Sequence, residues 1–250
     1  MQSKQINSHQ AKWYSEGEKQ LTFQYMEHYG ALISEMKSKE NLRILDVGGG
    51  AGYFISQLSE VLSPNNSYYV IDTHRYDTWD DANPKIAYCQ CDAAMLSFVF
   101  EKESFDYVFC NMLFHHLVTS SYKESALIRE NCLKEILHVL KADGKLCIVD
   151  NFCDGLFHDQ LSSRLIFTMT TCKNPILARL FSKLGSNSAG VGVCMLSEKM
   201  WMAMLTNAGL NCLALIKEAD DGLGLIKKTF LMNRSYRQFN TMICEKTKVR

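Results

Sequence analysis

The stretch from Leu42 to Phe54 constrains the fold of this chain more than any other. It reads Leu-Arg-Ile-Leu-Asp-Val-Gly-Gly-Gly-Ala-Gly-Tyr-Phe. An apolar run ends in an acid, glycines stand at 48, 49, 50 and 52, and an amphipathic run follows. A buried parallel strand, a tight turn and a helix start produce that order. Glycine is required where the chain turns through positive φ, or where backbone lies directly against a ligand. The stretch therefore predicts a nucleotide-like ligand at the carboxyl end of a first strand.

Apolar periodicity extends the pattern along the chain. Residues 1–15 read as a loose arm, and Glu16 to Lys37 as one amphipathic helix. Strands are expected at Arg43–Val47, Ser67–Asp72, Ile86–Cys91, Phe105–Cys110, Lys145–Asp150 and Asn211–Lys217. A last strand, Phe239–Glu245, is expected to run antiparallel at the far side. Helices are expected from about Gly52 to Leu62 (Phe54, Leu58 and Val61 on one face), from Tyr122 to Leu140, and from Glu198 to Asn207. Ser197 caps the last of these and Gly209 ends it. Lys141 to Gly144 reads as a turn. Strands alternating with helices imply a doubly wound α/β sheet, mostly parallel, with helices on both faces. The rhythm breaks over 152–195, which holds two helical stretches, Gln160–Thr170 and Ile176–Lys183, and a Gly/Ser-rich loop from Gly185. An insertion after strand five would cover the carboxyl edge of the sheet, so a helical lid is expected there. The domain reading is an arm and helix over 1–40 and one domain over 41–250.

Composition excludes several functions. The 27 basic residues balance the 27 acidic ones, which argues against a nucleic-acid partner. The basic stretch from Lys227 to Arg250 reads as a solvated edge and tail. Ten cysteines include no Cys-x-x-Cys pair, so neither a metal site nor a disulfide framework is expected, and a reducing cytoplasm is the natural compartment. No apolar run is long enough to span a bilayer.

The ligand is narrowed by what fails to match. Gly-x-Gly-x-x-Gly fails in both registers, because Tyr53 and Ile55 stand where the third glycine belongs. No lysine follows the glycines, so a phosphate loop is absent as well. What stands there is Asp-x-Gly-x-Gly-x-Gly, Asp46 to Gly52. This resembles the first motif of the class I S-adenosylmethionine-dependent methyltransferases, and the likeness continues in order over residues 42–210. Phe105 to Leu117 is similar to that family's fourth-strand motif, Leu140 to Leu146 to its Leu-Lys-Pro-Gly-Gly turn, and Ser197 to Leu210 to its helix with a central tryptophan, here Trp201.

The resemblance implies a Rossmann-like, seven-stranded sheet and S-adenosyl-L-methionine as cofactor. It implies that Asp72, ending strand two, holds the ribose hydroxyls, and that Asp92 and Ala93 face the adenine. Gly48 and Gly50 let the backbone approach the cofactor, Asp46 fixes the turn and its negative potential, and Asn111, at the end of strand four, is a further cofactor-binding residue. The expected activity is methyl transfer to a small, partly apolar acceptor by in-line displacement, mainly through positioning. A base is needed only when the acceptor loses a proton. The candidates are His116 and His115, each of which also reads as a brace for the loop after strand four; His158 is a further candidate. Asp150 and Asn151 are polar residues that could face the acceptor, and Arg164 and Arg179 could meet an acidic group on it. Adenine amino-methyltransferases carry Asn/Asp-Pro-Pro-Tyr/Phe after strand four, where this chain has Asn111-Met112-Leu113-Phe114. A homodimer is left open. So are two other readings, a non-catalytic methyltransferase-like subunit and an enzyme acting on protein or RNA.

Overall fold

The computed structural model describes residues 8–79, 83–172, 174, 192–221, 228–229 and 231–247, with backbone alone over 8–14. Its strands are β1 (Arg43–Val47), β2 (Ser67–Asp72), β3 (Ile86–Gln90), β4 (Phe105–Asn111), β5 (Leu140–Gly155), β6 (Leu210–Ile216) and β7 (Asn233–Lys246). They form one seven-stranded sheet in the order β3-β2-β1-β4-β5-β7-β6. The first five are parallel, whereas β7 runs antiparallel to both of its neighbours, β5 and β6.

Alternation along each strand divides the core in two. On β4, Tyr107 and Phe109 point to one face, Val108 and Cys110 to the other; on β5, Cys147 and Val149 oppose Leu146 and Ile148. The first face is covered by α1 (Ser8–His28), α2 (Gly30–Met36) and α3 (Tyr53–Val61), through Tyr25, Tyr29, Leu32, Met36, Phe54 and Leu58. The second is covered by α4 (Tyr122–Val139) and α6 (Glu198–Asn207), through Ile128, Cys132, Leu133, Ile136, Trp201 and Leu205. Between them in sequence lies α5 (Asp159–Thr171), after β5.

Several local expectations are corrected. The arm is helical from Ser8, and the helix breaks at Tyr29 (φ −92°, ψ 8°) instead of running unbroken to Lys37. The Tyr29 ring is fully buried against Phe54 and Phe109. The buried stripe of α3 is Phe54, Ile55 and Leu58, followed by Leu62, while Val61 is exposed. Lys141–Gly144 is no separate turn but an irregular start of β5: Leu140 pairs with Phe105 and Lys145 with Tyr107, so the ladder slips between them. The last strand begins at Asn233 and lies inside the sheet, with β6 at the edge. The side chains of Trp13 and Tyr14, the expected helix Ile176–Lys183, Arg179 and the loop Gly185–Gly190 lie outside the described residues.

Candidate functional site

The site begins where β1 stops. Gly48, Gly50 and Gly52 all have positive φ (70°, 52° and 82°), a conformation costly for other residues. The amides of Gly48 and Gly49 bond to the Ile71 carbonyl (2.8 and 3.1 Å), which ties the turn to β2. Each glycine also meets a different neighbour. A Cβ on Gly48 would stand 2.7 Å from Leu113, on Gly49 2.6 Å from the Asp46 carboxylate, on Gly50 2.6 Å from Glu18, and on Gly52 2.7 Å from Tyr88.

Three acids converge on this turn. Asp46 is 1% exposed, and its Oδ1 is buried without a hydrogen-bond partner. Asp72 accepts from the amides of Gly50 (3.1 Å) and His74 (2.9 Å). Glu18, from α1, accepts from the amide of Ala51 in the turn and from that of Tyr53 at the start of α3 (2.8 Å each). Burial raises the carboxyl pKa of all three. The charge of Asp72 adds to the rise at Glu18, which reaches about 7, and both push Asp46 up further. Glu18 was not foreseen from sequence; on a mostly polar helical stretch it resembles any solvated glutamate.

The other expected contacts divide. Asp92 starts a short 3-10 turn and accepts from the Ala94 amide (2.9 Å); Ala93 is buried in the core. Asn111, ending β4, accepts from the Tyr29 hydroxyl (3.0 Å), and its Nδ2 is buried with no partner.

Beyond β4 the chain makes a short 3-10 turn, Phe114–His116. His115 Nδ1 lies 2.7 Å from Asp150 Oδ1, and both side chains are buried (6% and 0% exposed). The His115 amide reaches the other carboxylate oxygen at 3.3 Å. The Asp150 carboxylate therefore fixes both the loop and the ring. The two imidazoles sit 4.0 Å apart, and burial together with His115 holds His116 well below the usual histidine range. Asn151 is tied to β7 through the Phe239 amide (3.3 Å). His158 is exposed at the start of α5, away from the other two histidines in exposure and partners. Arg164 lies over the Tyr122 ring.

The described part of 152–195 packs around this turn. Cys194 donates to the His115 carbonyl (2.9 Å), Tyr122 to Ser163 on α5 (3.0 Å), and Val193 to Thr170 (3.0 Å). Ile166 and Phe167 are buried, whereas Leu156, Phe157 and Leu161 are exposed. Among the described residues, no helix is long and apolar enough to cross a membrane.

Residues 45–148 match the family model described as a methyltransferase domain. No curated protein matches the chain in sequence. Among solved structures, the YcgJ protein of Bacillus subtilis is similar at 16% identity and a TM-score of 0.53, over 89% of this chain and 99% of that one. The S-adenosylmethionine-dependent methyltransferase of Aquifex aeolicus is similar at 16% identity and a TM-score of 0.50, over 85% and 88%. A chain of the Haloferax volcanii complex that contains the Trm112 methyltransferase activator is similar at 12% identity and a TM-score of 0.61, over 98% and 100%.

Proposed function

We propose that this chain, whose residues 45–148 match a methyltransferase domain, is a class I S-adenosylmethionine-dependent methyltransferase that methylates a small, partly apolar acceptor that gives up a proton, with His115 as the base. The observation that carries this reading is the buried His115–Asp150 pair at 2.7 Å. Positioning alone suffices for an acceptor with a free lone pair, so a braced histidine is superfluous unless a proton must leave.

The donor supplies an activated methyl on a sulfonium, and it carries two positive centres against one carboxylate. The residues at the glycine turn fit such a group. Two buried acids, Asp72 and Asp46 with its partnerless Oδ1, form a site of negative potential. In this reading Asp72 accepts from the ribose hydroxyls, and Asp92 with the backbone at Ala93 borders the adenine. Gly48, Gly50 and Asn111 bound the methionine portion, and Asp46 supplies negative potential from beneath the turn.

At the acceptor end, Asp150 holds the proton on Nδ1 of His115, which leaves Nε2 as the basic nitrogen. When Nε2 takes a proton, the carboxylate stabilises the imidazolium that forms. His116 stays neutral and serves as packing against the His115 ring. The described residues of 152–195 act as a cover that keeps water out, Cys194 being tied to the His115 carbonyl and α5 to Tyr122 of α4. The acceptor is an oxygen, nitrogen or carbon acid.

The test is a metabolite screen with isotopically labelled donor, the labelled product being identified by mass. Turnover on a small acceptor, lost in His115→Gln with donor binding intact, supports the reading. Unchanged turnover in that variant removes the base. One neighbour's occurrence in a complex with an activator supports a second reading, a subunit active only with a partner; turnover by the isolated chain excludes it.

A further inference from the structure

The carboxylate of Glu18 is in an unusual place for a group on an N-terminal helix. Its Oε2 lies 2.6 Å from where a Cβ on Gly50 would stand, so it covers the face of a glycine assigned above to the donor. Both oxygens are engaged, Oε2 by Ala51 N–H and Oε1 by Tyr53 N–H, at 2.8 Å each. Tyr53 N–H is the first amide of α3, and Ala51 N–H belongs to the glycine turn that leads into it. Such amides are where a ligand's anion gains most from unpaired N–H groups and the helix dipole. The donor has one anion, its carboxylate. Glu18 already holds two amides of the kind such a carboxylate would use.

The seat is unfavourable for Glu18 in every respect but those bonds. Asp46 faces it from β1 and Asp72 from the end of β2, with His74 beyond; Tyr76, Tyr88 and Tyr25 complete its surroundings. Burial and the Asp72 charge raise its pKa to about 7. The helix around it is also weakly anchored. Residues 15–21 are half-buried or exposed, and the large anchors Tyr25 and Tyr29 come later. Gly17, with nothing within 4 Å of its Cβ position, makes the helix less stable locally than alanine would.

We propose that Glu18 is an internal stand-in for the donor's carboxylate, and that the first half of α1 is a latch competing with S-adenosylmethionine for the amides of Ala51 and Tyr53. The proposal rests on the donor reading above. Loading the donor displaces Glu18, and α1 pivots about its anchored half. Apparent donor affinity is then lowered by the fraction of molecules in which the latch is closed.

The test compares two ligands on the full chain by calorimetry: S-adenosylmethionine and its decarboxylated analogue, which lacks the competing group. In Glu18→Ala the Kd for S-adenosylmethionine falls on the order of tenfold, while the Kd for the analogue does not fall. Glu18→Gln keeps the side chain's size and one acceptor, and carries the same two-ligand comparison should the alanine variant fail to fold; its gain is smaller and again confined to the carboxylate-bearing ligand. Weaker or unchanged S-adenosylmethionine binding in both variants overturns the latch, as does equal tightening of both ligands. Wild type and variants that bind neither ligand overturn the donor reading itself.

Discussion

At the amino end of the sheet, acids meet bases. Glu35 on α2 bonds to Lys39 (2.8 Å) and to Lys145 at the start of the regular β5 ladder (2.7 Å), and its pKa drops to about 2. Asp106 on β4 takes Lys141 (2.7 Å) and the amide of Arg43 (2.8 Å). At the carboxyl end, Glu18, Asp46 and Asp72 are buried together, and burial raises all three. Among the described residues no lysine or arginine is paired with them. The same residue types thus serve opposite ends. One end is arranged for stability, with exposed pairs each contributing up to about 1 kcal/mol. The other buries acids whose charged forms burial disfavours, a cost that a cation beside Asp46 and Asp72 would relieve.

The contrast breaks most visibly at the chemistry. His115→Gln, or Asp150→Asn, is expected to lower kcat by about 10²–10⁴ while leaving the donor's Kd unchanged. Single-turnover transfer of labelled methyl measures it, and a rate within a few-fold of wild type rejects the base. Next is Asp72→Ala. Two charge-assisted hydrogen bonds at about 1.5–3 kcal/mol each imply a loss of donor affinity of about a hundredfold or more. Calorimetry reads the affinity, and a melting curve checks that the variant is folded, since Asp72 also accepts the amides of Gly50 and His74. Normal binding by a folded Asp72→Ala protein would remove the ribose assignment.

Smaller effects sharpen the comparison. Gly48→Ala forces a side chain into φ +70° and against Leu113 at 2.7 Å, for a loss of about 1–2 kcal/mol in denaturant titration. A stability unchanged by that substitution contradicts the turn geometry. The pH dependence of unfolding separates the two ends. Glu18 has a folded pKa near 7 against 4.5 for the ordinary group, so between these values the native state binds more protons than the unfolded one. Stability from this group therefore falls as pH rises through that window, and Glu18→Gln flattens the slope. Glu35 works oppositely: its contribution is present above pH 4.5 and is lost as pH falls toward 2. Being largely solvent-screened, it is the smallest effect, and Glu35→Gln costs less than about 1 kcal/mol at neutral pH.

The parts of this protein legible in its sequence are the local ones. The turn at 48–52 follows from glycine spacing, since backbone handedness is settled within a few residues. Ser197 was readable as a cap because its partner, the Met200 amide, is only three residues away. Strand faces followed from alternation. The misses lie where neighbours distant in the chain decide the outcome. Glu18 and Ala51 are 33 residues apart, His115 and Asp150 are 35, and Tyr29 and Asn111 are 82. His115 and His116 are indistinguishable in sequence, yet Asp150 distinguishes them, bonding to one while burial holds the other neutral.

By itself, then, the sequence determined the order of strands and helices, the glycine turn and the class of donor, because spacing and handedness are properties of adjacent residues. Only the tertiary structure decided which charges are shared. The pKa of Glu18 comes from burial and from Asp72, and the orientation of His115 comes from a carboxylate on the neighbouring strand. Charge interacts through space rather than along the chain, and the fold alone sets those distances.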